Sequence, residues 1–384
     1  MAEKTVGYAA KEAKGRLEKF EFELDSLEPE YVEVEVTHCG VCHSDISLVD
    51  GDWGSMCAYP KVPGHEVVGK VTQVGSAIRE SEFKPGMRVG VGWWKQACGD
   101  CTFCKDGDEQ LCQNGRTTCA GQENGGMASK WRGHKTGVFP IPDGLDSETV
   151  GPLMCGGVTV YSPLIKFSAP SDAVGVLGVG GLGHMAVKFA RARGSRVVAL
   201  SHSEKKRDEV LAMGAHDFVN TENKEEMKRF ENQLGLLIVT VNVPLDWNGF
   251  LKLLRHKGTL CFVGAVQEEA KIAIFGELLF KQLNIVGSCA GGRKATEEML
   301  SFAALHGIGA KVEVFETDKV SVSRKLATSP RKRCQCGPNL CLTSILLLLH
   351  ARANMDAFCF TGQINDAFDK VRNGDMHYRG VIKF

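Results

Sequence analysis

A short apolar strand, a glycine-rich turn and a helical pattern follow one another between residues 174 and 193, and this order constrains the fold most strongly. Gly178 permits the tight turn, and Gly180 or Gly181 lets the backbone approach a pyrophosphate. Gly183 lets the helix pack on the strand, with the helix N-terminus facing the phosphates. The sequence therefore predicts an α/β unit that binds a dinucleotide.

A second apolar strand, Arg196–Leu200, follows at the distance expected within a βαβ unit. Its end discriminates between the two nicotinamide cofactors, because NAD enzymes place Asp or Glu there to hold the ribose 2′-hydroxyl. This chain has Ser201 and Ser203, followed by a basic run that includes Lys206. Hydroxyl groups and cations favour a 2′-phosphate, so we predict NADP(H) with these three residues as contacts. The alternative is a solvated helix start with serine as N-cap.

A cysteine cluster predicts a structural metal site. Four cysteines are spaced C-x2-C-x2-C-x7-C: Cys98, Cys101, Cys104 and Cys112. Four thiolates can surround one Zn²⁺ tetrahedrally at about 2.3 Å, which leaves no open position for a substrate. Disulfides or an iron–sulfur cluster are the alternatives, but the bacterial ferredoxin pattern needs three residues before its fourth cysteine and a proline after it.

A second set of ligand types is dispersed along the chain. Cys42, His65 and Cys155 are the predicted ligands of a catalytic zinc, because two sulfurs and one nitrogen leave a fourth position for water or a substrate oxygen. Asp45 is expected to accept the spare N–H of His65, and Glu66 to serve as an outer carboxylate or an occasional fourth ligand. The alternative for each cysteine is a small buried hydrophobe. We expect that role for five others: Cys39, Cys57, Cys119, Cys261 and Cys289.

Charge and length exclude several classes of protein. The 46 basic and 46 acidic side chains cancel, so no net field attracts nucleic acid or an anionic membrane. No apolar run approaches the roughly 18 residues that a membrane span requires. The N-terminus lacks the pattern of a secretory signal, and 15 cysteines then indicate thiols and metal ligands. We therefore expect a cytoplasmic protein that acts on small molecules.

At 384 residues, the chain is long enough for two domains. Residues 1–155 are rich in short β patterns and are predicted to form a mainly β catalytic zinc domain, completed by residues 291–384. Strands alternate with helical stretches over residues 156–290, which predicts a doubly wound parallel sheet as the NADP-binding Rossmann domain. Cofactor and zinc would meet in a cleft between the two.

Together these motifs resemble the medium-chain zinc-dependent alcohol dehydrogenases, and most closely their cinnamyl alcohol dehydrogenase-like branch. The resemblance covers nearly the whole chain and rests on Cys42–Asp45, Pro63–Glu66, the four-cysteine cluster, Cys155 ahead of Gly157–Pro163, and Gly178–Gly183. It implies an N-terminal GroES-like domain, two zincs per chain and a homodimer. It also implies reversible hydride transfer between primary alcohols and NADP⁺, with aromatic, cinnamyl-type or broad-range substrates.

The resemblance assigns further roles around the catalytic zinc. Ser44 matches the residue that touches the substrate oxygen and begins a proton relay. His43 is implied near the cofactor pyrophosphate and Thr159 on the nicotinamide side. Many relatives have a histidine where this chain has Ser47. A serine cannot take up the proton as imidazole does, so we expect water or another side chain to finish the relay and alcohol oxidation to be weaker at neutral pH.

Three tryptophans are candidate pocket walls for an aromatic or long aliphatic aldehyde: Trp53, Trp93 and Trp94. The alternative is that they simply pack, which is the usual use of large rings.

An atypical segment interrupts the C-terminal part from Ser321 to about Gln363. In the family, a strand like Val312–Phe315 leads directly into a helix like Ile364–Val371. Three interpretations stand: a retained intron or gene-prediction error, a tolerated surface excursion, or a functional metal-binding or partner-binding loop. A loop of this length is unusual in a compact domain.

Two alternatives to the alcohol dehydrogenase hypothesis remain at this point. One is a zinc-free quinone or enoyl reductase of the same fold. The other is a catalytically inactive nucleotide-binding protein, because a fold alone does not establish an activity.

Overall fold

A computed structural model describes residues 3–266, 268–317 and 363–384. The atypical segment lies outside the described residues except for its last position, Gln363. The strands in these ranges are β1 Lys4–Ala9, β2 Glu18–Glu23, β3 Tyr31–Val41, β4 Val67–Val74, β5 Arg88–Val91, β6 Trp94–Gln96, β7 Arg116–Thr117, β8 Lys130–His134, β9 Val138–Pro140, β10 Ala173–Leu177, β11 Arg196–Ser201, β12 Asp217–Asn220, β13 Leu234–Val239, β14 Leu254–Phe262, β15 Asn284–Gly287, β16 Val312–Glu316 and β17 Arg379–Lys383.

The α-helices of the same ranges are α1 His43–Asp50, α2 Thr102–Lys105, α3 Ser147–Val150, α4 Gly156–Phe167, α5 Gly183–Ala192, α6 Arg207–Ala212, α7 Lys224–Arg229, α8 Trp247–Leu251, α9 Arg293–His306 and α10 Ile364–Arg372. Within the described ranges, no helix combines the length and the apolar character that a membrane crossing requires.

The first large sheet is mostly antiparallel and contains both early and late segments of the chain. Its order is β16-β17-β3-β4-β5-β9, with β8 pairing with β3. Val32, Val34 and Val36 of β3 are buried as their alternation predicts. Glu33 is buried as well, because Arg132 donates to it at 2.7 Å across the neighbouring strand. A buried carboxylate needs such a partner.

The second sheet is entirely parallel, with the order β12-β11-β10-β13-β14-β15. Successive side chains of a strand point to opposite faces, and both faces of β10 are covered. Val174 and Val176 pack in one core with Tyr161 of α4, whereas Leu177 packs in another with Trp247 of α8. The predicted doubly wound sheet is therefore confirmed.

β3 and β14 both include polar positions at one end. β3 runs to Val41, beyond the alternating stretch Tyr31–Val36, with register shifts in its pairing with β4. β14 begins at Leu254, and its early residue Arg255 is polar and exposed, so a hydrophobicity pattern does not reveal this start.

Candidate functional site

Four ligand atoms converge where several elements begin or end. Cys42 follows β3, His65 and Glu66 precede β4, and Cys155 precedes α4. One sulfur, nitrogen or carboxylate oxygen from each lies within 4.8 Å of the others. His65 Nε2 is 3.2 Å from Cys155 Sγ. Residues that are separated by more than a hundred positions thus form one buried cluster of soft and borderline ligands, a composition that suits zinc.

Asp45 orients the His65 ring and the backbone next to two of the ligand candidates. Its Oδ1 lies 3.0 Å from His65 Nδ1 and accepts the Gly64 N–H at 2.8 Å. Its Oδ2 accepts the Cys42 N–H at 3.0 Å. A carboxylate at Nδ1 stabilises the tautomer that leaves Nε2 free to bind a metal. The sequence predicts this contact, although it does not predict the two backbone hydrogen bonds.

Glu66 has a partner that sequence reasoning missed. Arg379, at the start of β17, donates from Nη2 to the Glu66 carboxylate, and both side chains are buried. Arg379 Nη1 also lies 4.0 Å from Cys42 Sγ. Burial raises the pKa of Glu66 to about 7, although Arg379 acts in the opposite direction. A single arginine far along the chain has no spacing signal, so only the three-dimensional structure reveals it.

The Cys42 thiol of the cluster is unusually acidic. A hydrogen bond from the Cys155 thiol, aided by the charges of Arg379 and His65, holds the pKa of Cys42 well below its ordinary value. The thiolate form is the one that binds metals.

One wall of the cluster is aromatic. The Trp93 ring meets the His65 ring edge-on at 5.1 Å, and Trp53 meets Trp93 edge-on at 6.0 Å. Trp94 is instead in the core, edge-on to Phe139 at 5.7 Å, so it follows the packing alternative and does not form a pocket wall. Consecutive residues of β6 and its approach face opposite sides.

A third buried thiol lies beside the cluster. Cys119 Sγ is 3.9 Å from His65 Nδ1. Cys39, Cys119 and Cys261 are buried as the sequence predicts, whereas Cys57 is partly buried. Cys289 is exposed, so the expectation for it is wrong. It follows the edge strand β15, where a neighbouring strand to cover it is lacking within the described part of the chain.

The residues implied around the substrate lie on two helices that start at the cluster. His43 is exposed and Ser44 is half-buried in the first turn of α1, and Ser47 is buried one turn later. On α4, the Thr159 N–H donates to the Cys155 carbonyl at 3.0 Å. His43 and Ser44 therefore follow the ligand candidate Cys42 directly along the chain, and Thr159 lies one turn after the ligand candidate Cys155.

The four-cysteine cluster forms a separate site. One sulfur from each of its members, Cys98, Cys101, Cys104 and Cys112, lies within 4.8 Å of the others. Cys101 Sγ is 3.5 Å from Cys104 Sγ, and Cys98 Sγ accepts the Cys101 N–H at 3.3 Å. Hydrogen bonds from the backbone N–H groups of Asp100 and Cys101 lower the pKa of Cys98 to about 6. The donor set and its spacing suit a closed tetrahedral zinc site.

The glycine turn has the geometry that a bound pyrophosphate requires. Gly178 has φ +88°, which favours glycine. A Cβ on Gly183 would lie 1.9 Å from the Gly178 carbonyl oxygen, whereas one on Gly180 would project into open space. Close packing on one side and an open backbone on the other fit a dinucleotide.

The predicted 2′-phosphate contacts lie at the end of β11, next to this turn. The Ser203 N–H donates to Ser201 Oγ at 3.2 Å, and Ser203 Oγ accepts the Lys205 N–H at 3.4 Å. Lys206 Nζ lies 3.5 Å from the carbonyl oxygen of Val179 within the glycine turn. Ser203 is thus also an N-cap, which is the alternative that the sequence leaves open.

Comparisons with known proteins agree with this architecture. Residues 28–143 match the alcohol dehydrogenase GroES-like domain, and residues 181–305 match the zinc-binding dehydrogenase family. The chain is 40% identical over 315 residues to aldehyde reductase AdhA of Synechocystis sp., covering 82% of this chain and 92% of that protein. It is 38% identical over 333 residues to cinnamyl alcohol dehydrogenase 7 of Arabidopsis thaliana, covering 84% and 92%.

Solved structures lead to the same family. A cinnamyl alcohol dehydrogenase of Sorghum bicolor, SbCAD4, superposes with a TM-score of 0.83 at 30% identity, covering 99% of this chain and 98% of that chain. The enzyme CAD from Helicobacter pylori, complexed with NADP(H), gives a TM-score of 0.80 at 27% identity, covering 100% and 99%. The predicted GroES-like and Rossmann fold is confirmed. The chain is therefore a member of the zinc-type medium-chain alcohol dehydrogenase family, an oxidoreductase related to cinnamyl alcohol dehydrogenases and aldehyde reductases.

Proposed function

We propose that the protein interconverts primary alcohols and aldehydes by hydride transfer with NADP(H), using zinc held by Cys42, His65 and Cys155. One observation carries this proposal: two sulfurs and one imidazole nitrogen converge in a buried cluster, and Asp45 fixes the imidazole tautomer. Three protein ligands of this kind leave a position open for a substrate oxygen. Zinc bound there supplies a Lewis acid that polarises the oxygen of an aldehyde or alcohol.

Glu66 belongs to the same ligand group, and we assign it an outer role. Its carboxylate is already engaged by Arg379. The Arg379 guanidinium also lies beside Cys42 Sγ, and a positive charge there stabilises the thiolate form of Cys42. We propose that Arg379 compensates the charge of this thiolate and that Glu66 holds Arg379 in position.

The cofactor assignment rests on the glycine turn and the end of β11. We propose that Gly178, Gly180, Gly181 and Gly183 form the turn over the pyrophosphate, and that His43 approaches the same group. Ser201, Ser203 and Lys206 would hold the 2′-phosphate, because hydroxyls and an ammonium group match its charge and acceptors. We further propose that Thr159 contacts the nicotinamide.

Ser44 is the proposed contact of the reacting oxygen and the start of proton transfer. Ser47 lies one turn further along α1 and is buried. Its hydroxyl does not titrate near neutral pH, so another group must finish the transfer. We therefore propose that aldehyde reduction is favoured over alcohol oxidation at neutral pH.

For the substrate, we propose an aromatic, cinnamyl-type or long aliphatic aldehyde. Trp53 and Trp93 provide the supporting observation, because their rings line one side of the cluster. Flat aromatic substrates pack well against such rings. Trp94 is excluded from this wall by its burial in the core.

A second zinc is proposed at the cysteine cluster centred on Cys104. The four sulfurs form a closed set, which suits a structural role. We keep the proposed division of the chain: a catalytic domain of residues 1–155 completed by 291–384, and an NADP-binding domain of residues 156–290. The abundance of thiols supports a cytoplasmic location as well.

We also propose a homodimer built on the edge strand β15. Ile285 and Val286 of β15 are half-buried, and the preceding segment exposes Phe275 by 80% and Phe280 by 65%. An unpaired edge with adjacent apolar side chains is complementary to a second copy of itself. Two such edges related by a two-fold axis would join the parallel sheets.

A panel of aldehydes with NADPH and NADH tests the proposed function, together with zinc analysis. We expect reduction of benzaldehyde-like or cinnamaldehyde-like substrates with NADPH and loss of turnover after zinc removal. Cys155→Ser should abolish this activity, whereas Cys261→Ser, which removes a buried thiol that belongs to neither ligand cluster, serves as the control. Reduction of quinones or enones that survives complete zinc removal would support the zinc-free reductase instead. Absence of any activity in a zinc-loaded, NADPH-binding protein would support the inactive alternative.

A further inference from the structure

Tyr378 connects the first sheet with the nucleotide side of the second. It directly precedes β17, which pairs with β3 in the first sheet. Its backbone has φ +72°, an uncommon conformation for a bulky residue, and the side chain is buried. Conformations of this kind persist only where the surroundings require them.

The contacts of Tyr378 surround the glycine turn. Its ring lies 4.8 Å from the His184 ring on α5, one residue after Gly183. Its carbonyl oxygen would be 2.9 Å from a Cβ on Gly181. Its ring also faces Lys206, whose Nζ is 4.7 Å from the ring centroid. Tyr378 therefore contacts the turn through its backbone carbonyl and the Lys206 cation through its ring.

An aromatic partner has a different effect on Lys206 from that of a carboxylate. A ring face attracts an ammonium group through its quadrupole and leaves the full positive charge in place. Among the described residues, no carboxylate oxygen lies within 4.0 Å of Lys206 Nζ. The charge of Lys206 is thus oriented but not neutralised.

An acidic group that contacts Tyr378 is engaged by other partners as well. Glu209 on α6 accepts a hydrogen bond from the Tyr378 hydroxyl at 3.0 Å. The same carboxylate is paired with Lys311 and lies 3.3 Å from His377 Nε2. A carboxylate that turned towards a bound phosphate would repel it, and these three partners hold Glu209 in a fixed place.

We propose that Tyr378 is a positioning residue for cofactor selection: its ring holds the Lys206 ammonium at the glycine turn, and its hydroxyl keeps the Glu209 carboxylate away from it. This inference rests on the proposed use of NADP(H), and it adds a residue directly ahead of β17 that does not itself touch the phosphate. Removal of the Tyr378 side chain should weaken binding of the 2′-phosphate and leave binding of the rest of the nucleotide unchanged.

Binding of 2′,5′-ADP and of 5′-AMP to the zinc-loaded protein tests this proposal, because the two probes differ by the 2′-phosphate. We expect Tyr378→Leu to weaken 2′,5′-ADP roughly 3- to 30-fold, the range for loss of a cation–π contact, with 5′-AMP changed less than about twofold. The KM for NADPH should rise by the same factor, while the KM for NADH and both kcat values stay constant. Tyr378→Phe keeps the ring and should have a smaller effect.

Tyr161→Leu is a matched control. Tyr161 is also a buried tyrosine whose hydroxyl meets a glutamate, Glu298 at 2.9 Å, and whose ring lies 6.0 Å from a cation, Arg193. Its replacement should lower stability without changing the ratio of the two affinities. Equal weakening of both probes in Tyr378→Leu, or no weakening of either, would overturn the proposal.

The outcomes separate this inference from the proposed function. A wild-type protein that binds 5′-AMP as tightly as 2′,5′-ADP contradicts the use of NADP(H). A wild-type preference for 2′,5′-ADP that Tyr378→Leu retains contradicts only the role of Tyr378. If Tyr378→Leu does not fold, Tyr378→Phe decides: an unchanged affinity for 2′,5′-ADP overturns the inference, and a selective loss of about twofold or more supports it.

Discussion

Arg379 donates to the Glu66 carboxylate inside the candidate metal cluster, although 313 positions separate the two residues. The ion pair is buried and joins β17 to the start of β4. Desolvation of two charges costs free energy, which the mutual attraction offsets only while both partners are present. The C-terminal strand is therefore an integral part of the site.

Removal of one partner of this pair should be more costly than removal of both. Arg379→Met leaves Glu66 buried and unpaired, and we expect it to lower the free energy of unfolding by about 3–5 kcal/mol. Arg379→Met combined with Glu66→Gln should recover part of that loss, because no uncompensated charge remains. Urea unfolding of the single and double variants measures both values. Losses that simply add would contradict a coupled pair.

The sequence predicts residues whose type and local motif carry information. Cys42, His65 and Cys155 are recognisable from their chemistry and their surroundings, and the fold brings them together. Arg379 and Tyr378 are ordinary residues of a short strand and its approach, and their partners lie in other elements. A pattern of neighbours along the chain does not encode such contacts, so they emerge only from the structure.

The same limit applies to the tryptophans and to Cys289. Trp93 and Trp94 are adjacent and identical in type, yet one faces His65 and the other faces Phe139. The direction of a side chain depends on strand register, which is set by pairing across the sheet. Cysteine is a residue type that is often buried. Cys289 nevertheless follows an edge strand and is exposed.

The two cysteine sites should respond differently to mutation. Cys155→Ser should reduce turnover about 1,000-fold or more, since the Lewis acid contributes several kcal/mol and each 1.36 kcal/mol is tenfold in rate. Cys104→Ser should instead lower the Tm by roughly 5 °C or more before it affects chemistry, because a structural zinc contributes to folding. Zinc analysis should give two ions per wild-type chain and one for each variant. Full turnover in Cys155→Ser would contradict the catalytic assignment.

His184 should make the protein sensitive to acid. Its imidazole is buried beside the glycine turn, where its Nε2 accepts the Lys311 N–H at 3.0 Å. Burial lowers the pKa of His184 to about 3. In the unfolded chain a histidine has a pKa of about 6.5. At pH values between these two pKa values, the unfolded chain therefore binds a proton that native His184 does not, and the stability of the native protein falls as the pH decreases.

The expected loss from His184 alone is about 2 kcal/mol at pH 5, from 1.36 kcal/mol per pKa unit. His184→Gln should flatten the dependence of unfolding free energy on pH below about 6.5, relative to the wild type. Both proteins keep the same metal sites, so their acid dependence cancels in the difference. The exposed His256, replaced by Gln, controls for the loss of a histidine. Identical slopes for the wild type and His184→Gln would contradict the prediction.

An imidazole at position 47 should increase the rate of alcohol oxidation relative to that of aldehyde reduction. Ser47 is buried on α1, one turn beyond Ser44. Ser47→His adds a group that titrates near neutral pH, so alcohol oxidation should increase most between about pH 6 and 8. Ser47→Asn adds comparable bulk without a titratable group and serves as the control. A pH profile of kcat/KM for oxidation that stays unchanged in Ser47→His would count against the relay hypothesis.

A charge on the apolar segment ahead of β15 should separate the proposed dimer. Phe275 and Phe280 contact each other edge-on at 5.2 Å and are both exposed in the single chain. Burial of such rings against a second copy would stabilise the dimer by about 1.5–3 kcal/mol each, and Phe275→Asp replaces this gain with a desolvated charge. Sedimentation equilibrium should then show a shift from dimer to monomer. Leu305→Asp, on the exposed face of α9, removes an equally exposed apolar residue and should leave the dimer intact. A wild-type monomer, or a dimer that persists in Phe275→Asp, would exclude this surface as the interface.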